Sequence, residues 1–341
     1  MKKFIGYQRG INLGGWLSQC EHTTEHYETF IVEEDIKQIA SWGLDHVRLP
    51  IDYELVRSIE DDSFKEDGFK YINRCLDWCE KYYLNMILDL HKTAGYSFDE
   101  KENDFFHSEI LQDKFYSLWD ELSKRYGKYS NRLCFELLNE VVDEKLVSIW
   151  NRIIRNTMKI IRMNAPITKV LVGGVRNNSV FWTAHLENPY DQNMVYTFHF
   201  YEPLIFTHQA AYWVDKMTPD FSTEYPSDRE TYLKETKQYL PPEHLELYDL
   251  VDTTKIDRTF IEKAFTDAVL IAEQRGVPIY CGEYGVIDRA SLESTLNWYT
   301  EMNYVFEKMQ IARAAWTYKG KDFGITDEHY APIREKLIQL L

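Results

Sequence analysis

The segment FELLNE at residues 135–140 is an apolar run that ends on an Asn-Glu pair, and PIYCGE at residues 278–283 is a second apolar run that also ends on a glutamate. Apolar runs of this length are typical of buried strands. In a parallel barrel, the C-terminal ends of all the strands meet at one end of the barrel. If both runs are strands of one such barrel, Glu140 and Glu283 project into the same crevice.

Apolar runs of this kind alternate with amphipathic segments along the whole chain, which is typical of βα units around a parallel sheet. The predicted strands are Gly10–Leu13, His46–Leu49, Asn85–Leu90, Leu133–Leu138, Val170–Gly173, Met194–Phe198, Pro278–Gly282 and Ala312–Thr317. The predicted helices are Val32–Trp42, Lys70–Lys81, Gln112–Tyr126, Lys145–Asn164, Val180–His185, Arg258–Arg275, Leu292–Met309 and Pro332–Leu341, with stops at Gly43, Gly127 and Gly276. Eight strands and eight helices predict an α/β fold of the (β/α)8 TIM-barrel type.

The chain of 341 residues is long enough for two ordinary domains, but barrels of this size are commonly one domain. We therefore predict a single catalytic barrel over residues 1–341. Residues 202–257 form a connection far longer than the usual loop between a strand and the next helix. Because this connection follows the sixth predicted strand at the functional end of the barrel, we expect an inserted subdomain or lid over the cleft.

Composition narrows the class of ligand. The net charge of −16 disfavours nucleic acid, whose phosphates require Lys and Arg. No apolar stretch reaches the roughly 20 residues that span a bilayer, so a membrane partner is not expected. Aromatic residues make up 15% of the chain, and their flat faces can stack on sugar rings, although core packing is their commoner use.

The opening Met1-Lys2-Lys3 is positive, but no apolar core of a secretory signal follows it. We expect a cytoplasmic protein, or a secreted one if a leader has been removed. The odd number of cysteines and the lack of paired zinc-ligand spacing predict reduced, buried thiols. These cysteines are Cys20, Cys75, Cys79, Cys134 and Cys281.

Polar residues stand at the ends of most of the predicted strands, where barrel enzymes place their catalytic groups. Each of them alone is compatible with a structural role, but together they indicate an active site. They are Arg48, His91, Asn139, Glu140, His199, Tyr201, Glu283, Tyr284 and Trp316.

Two glutamates in one crevice suit the hydrolysis of a glycosidic bond, in which one group protonates the departing oxygen and the other stabilises or attacks the anomeric carbon. Burial and a neighbouring negative charge would raise the pKa of Glu140 and keep it protonated. Arg48 and the Tyr201 hydroxyl would favour the ionised form of Glu283. These residues alone leave open which glutamate has which role.

Several motifs resemble those of glycoside hydrolase family 5. They are Asn139-Glu140, His199-Phe200-Tyr201, Gly282-Glu283-Tyr284-Gly285, Arg48 in VRLP at residues 47–50, and Trp316. The segments GINLGGWL at residues 10–17 and DHVRLP at residues 45–50 resemble the clostridial endoglucanase C type of this family, which also has an insertion after the sixth strand. One departure is Lys92, where many relatives have a histidine or an aromatic residue.

The resemblance implies a retaining mechanism in which Glu140 is the acid/base and Glu283 the nucleophile, with their carboxyl groups about 5 to 5.5 Å apart. It also implies supporting roles for six residues: Arg48 and Tyr201 as holders of Glu283, Asn139 as a partner of the sugar 2-hydroxyl, His91 and His199 as neighbours of the scissile bond, and Trp316 as a stacking floor. Further candidate sugar contacts are Trp16, Trp182, Trp213 and Asn177 with its neighbours Asn178 and Ser179.

The predicted function is therefore a retaining endo-β-glucanase that cuts β-1,4 bonds in cellulose-like or mixed-linkage glucans, with a β-glucan poly- or oligosaccharide as its partner. An exo-acting β-glucosidase, a β-1,3-glucanase and a β-mannanase stay open, because loops decide among sugars. An inactive carbohydrate-binding barrel would be expected to lack one glutamate. A metal-dependent hydrolase would draw ligands from His22, His26, His91 and His199, but no complete motif is present, and we assign no metal and no cofactor.

Overall fold

The computed structural model describes residues 2–100 and 103–341. Eight parallel strands form a closed barrel in which each strand lies beside its neighbours in chain order, and the first strand pairs with both the second and the eighth. The strands are β1 (Arg9–Asn12), β2 (His46–Asp52), β3 (Asn85–Lys92), β4 (Leu133–Glu136), β5 (Val170–Gly173), β6 (Met194–His199), β7 (Ile279–Glu283) and β8 (Ala312–Ala315). The predicted (β/α)8 barrel is confirmed, and each predicted strand overlaps an observed one.

Helices surround the barrel. The longer ones are Glu33–Ser41, Glu66–Lys81, Glu109–Tyr126, Val147–Asn164, Arg258–Arg275, Leu292–Met309 and Arg334–Leu340, and Thr24–Thr29 and Tyr53–Val56 are short additions. Short 3-10 segments are Asp104–His107, Gly127–Tyr129, Glu144–Leu146, Val180–His185 and Glu328–Tyr330. Within the described ranges, no helix is long and apolar enough to cross a bilayer.

Helix boundaries follow local sequence signals. Ser108 and Ser291 accept hydrogen bonds from the backbone of the first turns that follow them, which is N-capping. Gly276 ends its helix with φ +66°, a conformation that favours glycine. The predicted helix Val180–His185 is a 3-10 helix, a tighter winding that is common in short connecting pieces.

The barrel interior changes character along its axis. Because side chains alternate along a strand, every second residue points inward. The layer nearest the N-terminal ends is mainly apolar and contains Ile87, Cys134, Leu171, Val195 and Tyr280. Two residues further along β3 and β4 come the buried carboxylates of Asp89 and Glu136. The apolar layer therefore forms a floor on which a charged layer rests, below the C-terminal ends of the strands.

Residues 202–257 lie between β6 and the helix Arg258–Arg275. They contain the helices Leu204–Thr207, Arg229–Tyr239 and Glu246–Leu250, the 3-10 turn Pro242–Leu245, and an antiparallel ribbon of Ser227–Asp228 with Lys255–Ile256. Tyr225 anchors this inserted segment to the helix Leu292–Met309, since its backbone N–H donates to Ser294 Oγ at 2.9 Å and its hydroxyl donates to Glu301.

Candidate active site

Arg48 on β2 is the centre of the charged layer and is fully buried. Its Nη1 donates to Glu283 Oε1 at 2.8 Å, and its Nε and Nη2 donate to the two oxygens of Glu136 at 2.7 and 3.2 Å. Nη2 also donates to Asn139 Oδ1 at 2.9 Å and lies 3.0 Å from Asp89 Oδ2. Burial opposes the charge of Arg48, but the surrounding carboxylates outweigh it and raise the pKa of the guanidinium further. One buried cation thus orients three carboxylates and the Asn139 amide.

Glu283 ends β7 and accepts donors on both oxygens. Arg48 occupies Oε1, and the Tyr201 hydroxyl donates to Oε2 at 2.9 Å. Burial and the charge of Glu283 raise the pKa of Tyr201 well above its usual value, so the hydroxyl keeps its proton and stays a donor. Two donors, one on β2 and one just after β6, thus hold both oxygens of the Glu283 carboxyl in place.

The backbone of Glu140 has an unusual conformation for a residue with a side chain. Its φ is +36°, and residues held in such conformations cluster at functional sites. The Tyr96 hydroxyl holds this backbone, because it donates to the Glu140 carbonyl at 2.6 Å and accepts from the Val142 N–H at 2.9 Å. These two hydrogen bonds fix the backbone that carries the Glu140 carboxyl, four residues after the end of β4.

Neutral groups contact the Glu140 carboxyl. His199 Nδ1 lies 2.6 Å from Oε1, and Asn177 Nδ2 donates to Oε2 at 2.9 Å. Burial raises the pKa of Glu140 to about 7, and the hydrogen bond from Asn177 partly opposes that rise. Burial also lowers the pKa of His199 to about 4, so its imidazole is neutral at neutral pH. The carboxyl can therefore both hold and release a proton near neutral pH.

The two carboxyl groups lie close together. One oxygen of Glu140, one oxygen of Glu283 and a ring nitrogen of His199 all fall within 4.8 Å of one another. Carboxyl groups of inverting glycosidases stand roughly 6.5–9.5 Å apart to admit a water molecule, whereas those of retaining enzymes stand about 5–5.5 Å apart. The spacing fits the retaining arrangement.

Two buried donors of this cluster have no protein partner among the described residues, namely Asn139 Nδ2 and His91 Nε2. Arg48 holds the other end of the Asn139 amide, and Asp89 Oδ2 lies 2.7 Å from His91 Nδ1. Burial works against a charge on His91, but the hydrogen bond and the charge of Asp89 outweigh it and raise the pKa of the imidazole. Because buried donors rarely lack partners, these two mark positions where a ligand can bind.

Trp316 follows β8 and stacks parallel to the His91 ring, with centroids 5.8 Å apart and planes 6° apart. The structure thus gathers in one crevice eight of the main residues that the sequence singled out, and also Asn177 from the further candidates. The eight are Arg48, His91, Asn139, Glu140, His199, Tyr201, Glu283 and Trp316.

Other candidates lie elsewhere. Trp16 is fully buried, stacks on Trp78 and donates through Nε1 to the Tyr27 carbonyl at 2.9 Å. Because the Trp16 ring is packed inside the hydrophobic core, it has no face exposed to a sugar. The prediction that Trp16 is a sugar platform is therefore wrong. Trp182 is half-buried and its ring packs on His185.

Trp213 lies on the inserted segment and is 44% exposed. Its ring contacts His208, which in turn contacts Tyr201, so it stands at the rim of the crevice. Lys92, the departure from the family pattern, pairs with Glu54 and Glu100.

Glu140, His199 and Glu283 lie close enough together to ligate a metal ion. Their ligand atoms are already engaged, however, since His199 Nδ1 contacts Glu140 and both Glu283 oxygens accept hydrogen bonds. The predicted alternative ligands diverge: His22 Nε2 lies 3.2 Å from Asp52 Oδ2, while His26 Nε2 lies 2.7 Å from the Gly15 carbonyl.

Sequence reasoning missed four supporting residues. Asn12, Asp89 and Glu136 fix Arg48, and Tyr96 fixes the Glu140 backbone. Burial raises the pKa of Glu136 above its usual value; Arg48 opposes that rise, and the charges of Asp89 and Glu283 add to it. A charged residue inside an apolar strand run must be paired if it is buried, and that signal would have found Asp89 and Glu136.

A closed parallel barrel with two buried, closely spaced carboxylates at the C-terminal ends of its strands defines the glycosidase class. The family model for cellulases, glycosyl hydrolase family 5, matches residues 9–322. The chain therefore belongs to this family and is a glycoside hydrolase, as the motifs predicted.

Two curated relatives cover nearly the whole chain. Cellodextrinase A of Ruminococcus flavefaciens is 43% identical over 92% of this chain and 86% of its own length. Endoglucanase C of Acetivibrio thermocellus is 37% identical over 99% of this chain and 98% of its own length. A crystal structure of an endoglucanase of Thermotoga maritima has the same fold, with a TM-score of 0.76, 23% identity, and coverage of 98% of this chain and 97% of its own.

Proposed function

We propose that this chain is a retaining endo-β-glucanase that hydrolyses β-1,4 bonds in cellulose-like or mixed-linkage β-glucans. The observation that carries the proposal is the pair of carboxyl groups, whose nearest oxygens lie within 4.8 Å of each other while their surroundings differ. Membership of the cellulase family and the likeness to an endoglucanase over nearly the whole chain support it.

In the first step, a Glu283 oxygen attacks the anomeric carbon while Glu140 gives its proton to the glycosidic oxygen. The bond between that carbon and the leaving group breaks, and an ester bond to Glu283 forms. Glu140 suits the acid role because burial raises its pKa to about 7. Glu283 suits the nucleophile role because Arg48 and Tyr201 donate to its oxygens.

In the second step, the Glu140 carboxylate takes a proton from a water molecule whose oxygen attacks the same carbon from the opposite face. The ester bond breaks and Glu283 recovers its carboxylate. Two inversions give net retention. A neutral His199 at 2.6 Å from Glu140 avoids adding a fixed positive charge, which would hold the acid/base in its ionised form.

The free donors define how the sugar is held. Asn139 Nδ2 donates to the 2-hydroxyl of the sugar being cleaved, and His91 Nε2 donates to a neighbouring hydroxyl. Trp316 offers its ring next to His91 as a stacking surface. Hydrogen bonds to the 2-hydroxyl contribute to catalysis when they strengthen in the transition state.

The inserted segment, residues 202–257, acts in this proposal as a lid at the rim of the cleft. Trp213 and Tyr212 lie side by side on it and are 44% and 77% exposed. Contacts through His208 connect Trp213 to Tyr201 beside the nucleophile. This placement suits stacking of a glucosyl unit beyond the bond that is cleaved.

A second candidate is a preference for short oligosaccharides. The relative at 43% identity is named a cellodextrinase, and a lid at one end of the cleft would favour short chains. The same two glutamates would carry out the reaction.

The deciding experiment is a chromatographic product profile from barley mixed-linkage glucan, laminarin, mannan and cello-oligosaccharides, with Glu283→Gln as control. Several oligosaccharides from mixed-linkage glucan, absent with the variant, are the expected result. Products from cello-oligosaccharides alone would favour the second candidate. Products only from laminarin or mannan would reassign the substrate, and an active Glu283→Gln variant would overturn the mechanism.

A further inference from the structure

Three consecutive residues after β5 have left-handed backbones. Arg176, Asn177 and Asn178 have φ values of +55°, +57° and +54°. Asparagine is the residue other than glycine that tolerates this region most readily, but arginine is not favoured there. Glycine or asparagine would adopt this left-handed conformation with less strain than arginine. The presence of arginine at position 176 therefore indicates that its side chain has a role.

The Arg176 side chain reaches the inserted segment. Its Nη1 lies 2.9 Å from Glu144 Oε2 on the barrel rim and 3.2 Å from Glu246 Oε2 on the insertion, and Nη2 donates to the Glu243 carbonyl at 3.4 Å. The guanidinium therefore joins the loop after β4, the turn after β5 and the inserted segment.

The two asparagines of the turn face the catalytic groups. Asn177 Nδ2 donates to Glu140 Oε2 at 2.9 Å, and Asn178 Nδ2 lies 3.5 Å from His199 Nε2. Asn178 packs so closely on Gly173 that a Cβ there would lie 2.1 Å from its Oδ1. The turn is thus seated on β5 at one side and contacts the catalytic groups at the other.

We propose that Arg176 and Asn177 are positioning residues of this site: the contacts of Arg176 with the inserted segment hold the left-handed turn, and the turn holds the Asn177 amide on the Glu140 carboxyl. This inference rests on the proposed function, because it requires Glu140 to be the acid/base. It assigns the insertion a second role besides covering the cleft, namely to stabilise the geometry of proton transfer.

A donor to a carboxylate favours its ionised form, so losing the Asn177 amide raises the pKa of Glu140. Other charged and titratable groups around this carboxyl stay in place when Asn177 is changed, so they serve as a constant background. They are Arg48 from β2, Asp89 and His91 from β3, Tyr96 from the following loop, His199 and Tyr201 from the end of β6, and Glu283 from β7.

The test uses glycine variants, because glycine adopts a positive φ without strain and each change removes only a side chain. In Asn177→Gly we expect the basic limb of kcat/KM to move up by about one pH unit, since hydrogen bonds to charged groups have that order of strength. In Arg176→Gly we expect a smaller shift in the same direction, because partly exposed ion pairs are individually weak. Arg176→Lys retains the positive charge, so the basic limb of kcat/KM should lie close to its position in the parent enzyme.

Arg155→Gln is the matched control, since it removes an exposed ion pair with Glu187 in which the turn takes no part. It should change neither the limb nor kcat. An unmoved limb in a folded, active Asn177→Gly variant would overturn the proposal, and an unmoved limb in Arg176→Gly alone would overturn the part played by the insertion. A failure of the proposed function would be seen separately, as retained activity in Glu140→Gln measured in the same series.

Discussion

The two glutamates of the site are chemically identical, yet their surroundings are opposite. Glu283 faces a buried guanidinium and a phenol that both donate to it. Glu140 faces a neutral imidazole and an amide, and burial raises its pKa to about 7. The comparison teaches that the role of each carboxyl is set by its neighbours: donors and a cation favour a nucleophile, and a dry, neutral pocket favours an acid.

The largest expected effect is on the Glu283 side. Glu283→Ala should lower kcat by roughly 10⁵-fold, because the covalent step is lost. Added azide should restore turnover of an aryl β-cellobioside and give an α-glycosyl azide, since it enters from the face that Glu283 occupied. A β-azide product, or activity without azide, would mean that Glu283 is not the nucleophile.

Glu140→Ala should lose about 10²–10⁴-fold in kcat on cellotetraose, the usual range for removing a general acid. On 2,4-dinitrophenyl β-cellobioside the first step should be nearly normal, because that leaving group needs no proton. Azide should then yield a β-glycosyl azide. Equal losses on both substrates would contradict the difference drawn between the two glutamates.

Protonation of Glu140 should affect both kcat/KM and the free energy of unfolding. With a pKa of about 7, kcat/KM should fall tenfold per pH unit above that value. The folded state binds this proton more tightly than the unfolded chain, so the contribution of Glu140 to the free energy of unfolding should become more favourable as pH falls from about 7 towards 4.5.

Glu140→Gln removes that contribution. At pH 8 the variant should therefore be more stable than the parent by about 1–3 kcal/mol in denaturant unfolding, and the difference should vanish near pH 4. A difference that is the same at both pH values would show that Glu140 does not have a raised pKa.

The smallest expected effect concerns the rim. Trp213→Ala should raise KM for cellopentaose about tenfold, in line with the energy of an aromatic contact, and leave KM for an aryl cellobioside unchanged. The control is Tyr304→Ala, which removes a comparably exposed aromatic ring from the helix Leu292–Met309. Equal changes in KM for both substrates would show that Trp213 does not contact the longer substrate.

The strands and both glutamates could be predicted from the sequence because their signals are local. An apolar run and the polar residue that ends it are neighbours in the chain, and parallel strands bring such residues to one end of a barrel whatever lies between them. Gly276 marked a helix boundary for the same reason. Trp16 illustrates the limit, since its sequence context is equally compatible with a cleft and a core.

The sequence by itself therefore determined the barrel, the family and the pair of carboxylates. Only the tertiary structure decided that Arg48 is shared between Glu283 and the buried Glu136, because these three residues lie on strands far apart in the chain. It also decided the left-handed turn at residues 176–178 and its contact with the insertion. Burial and charge pairing depend on the distances between remote residues, and pKa values follow from those distances.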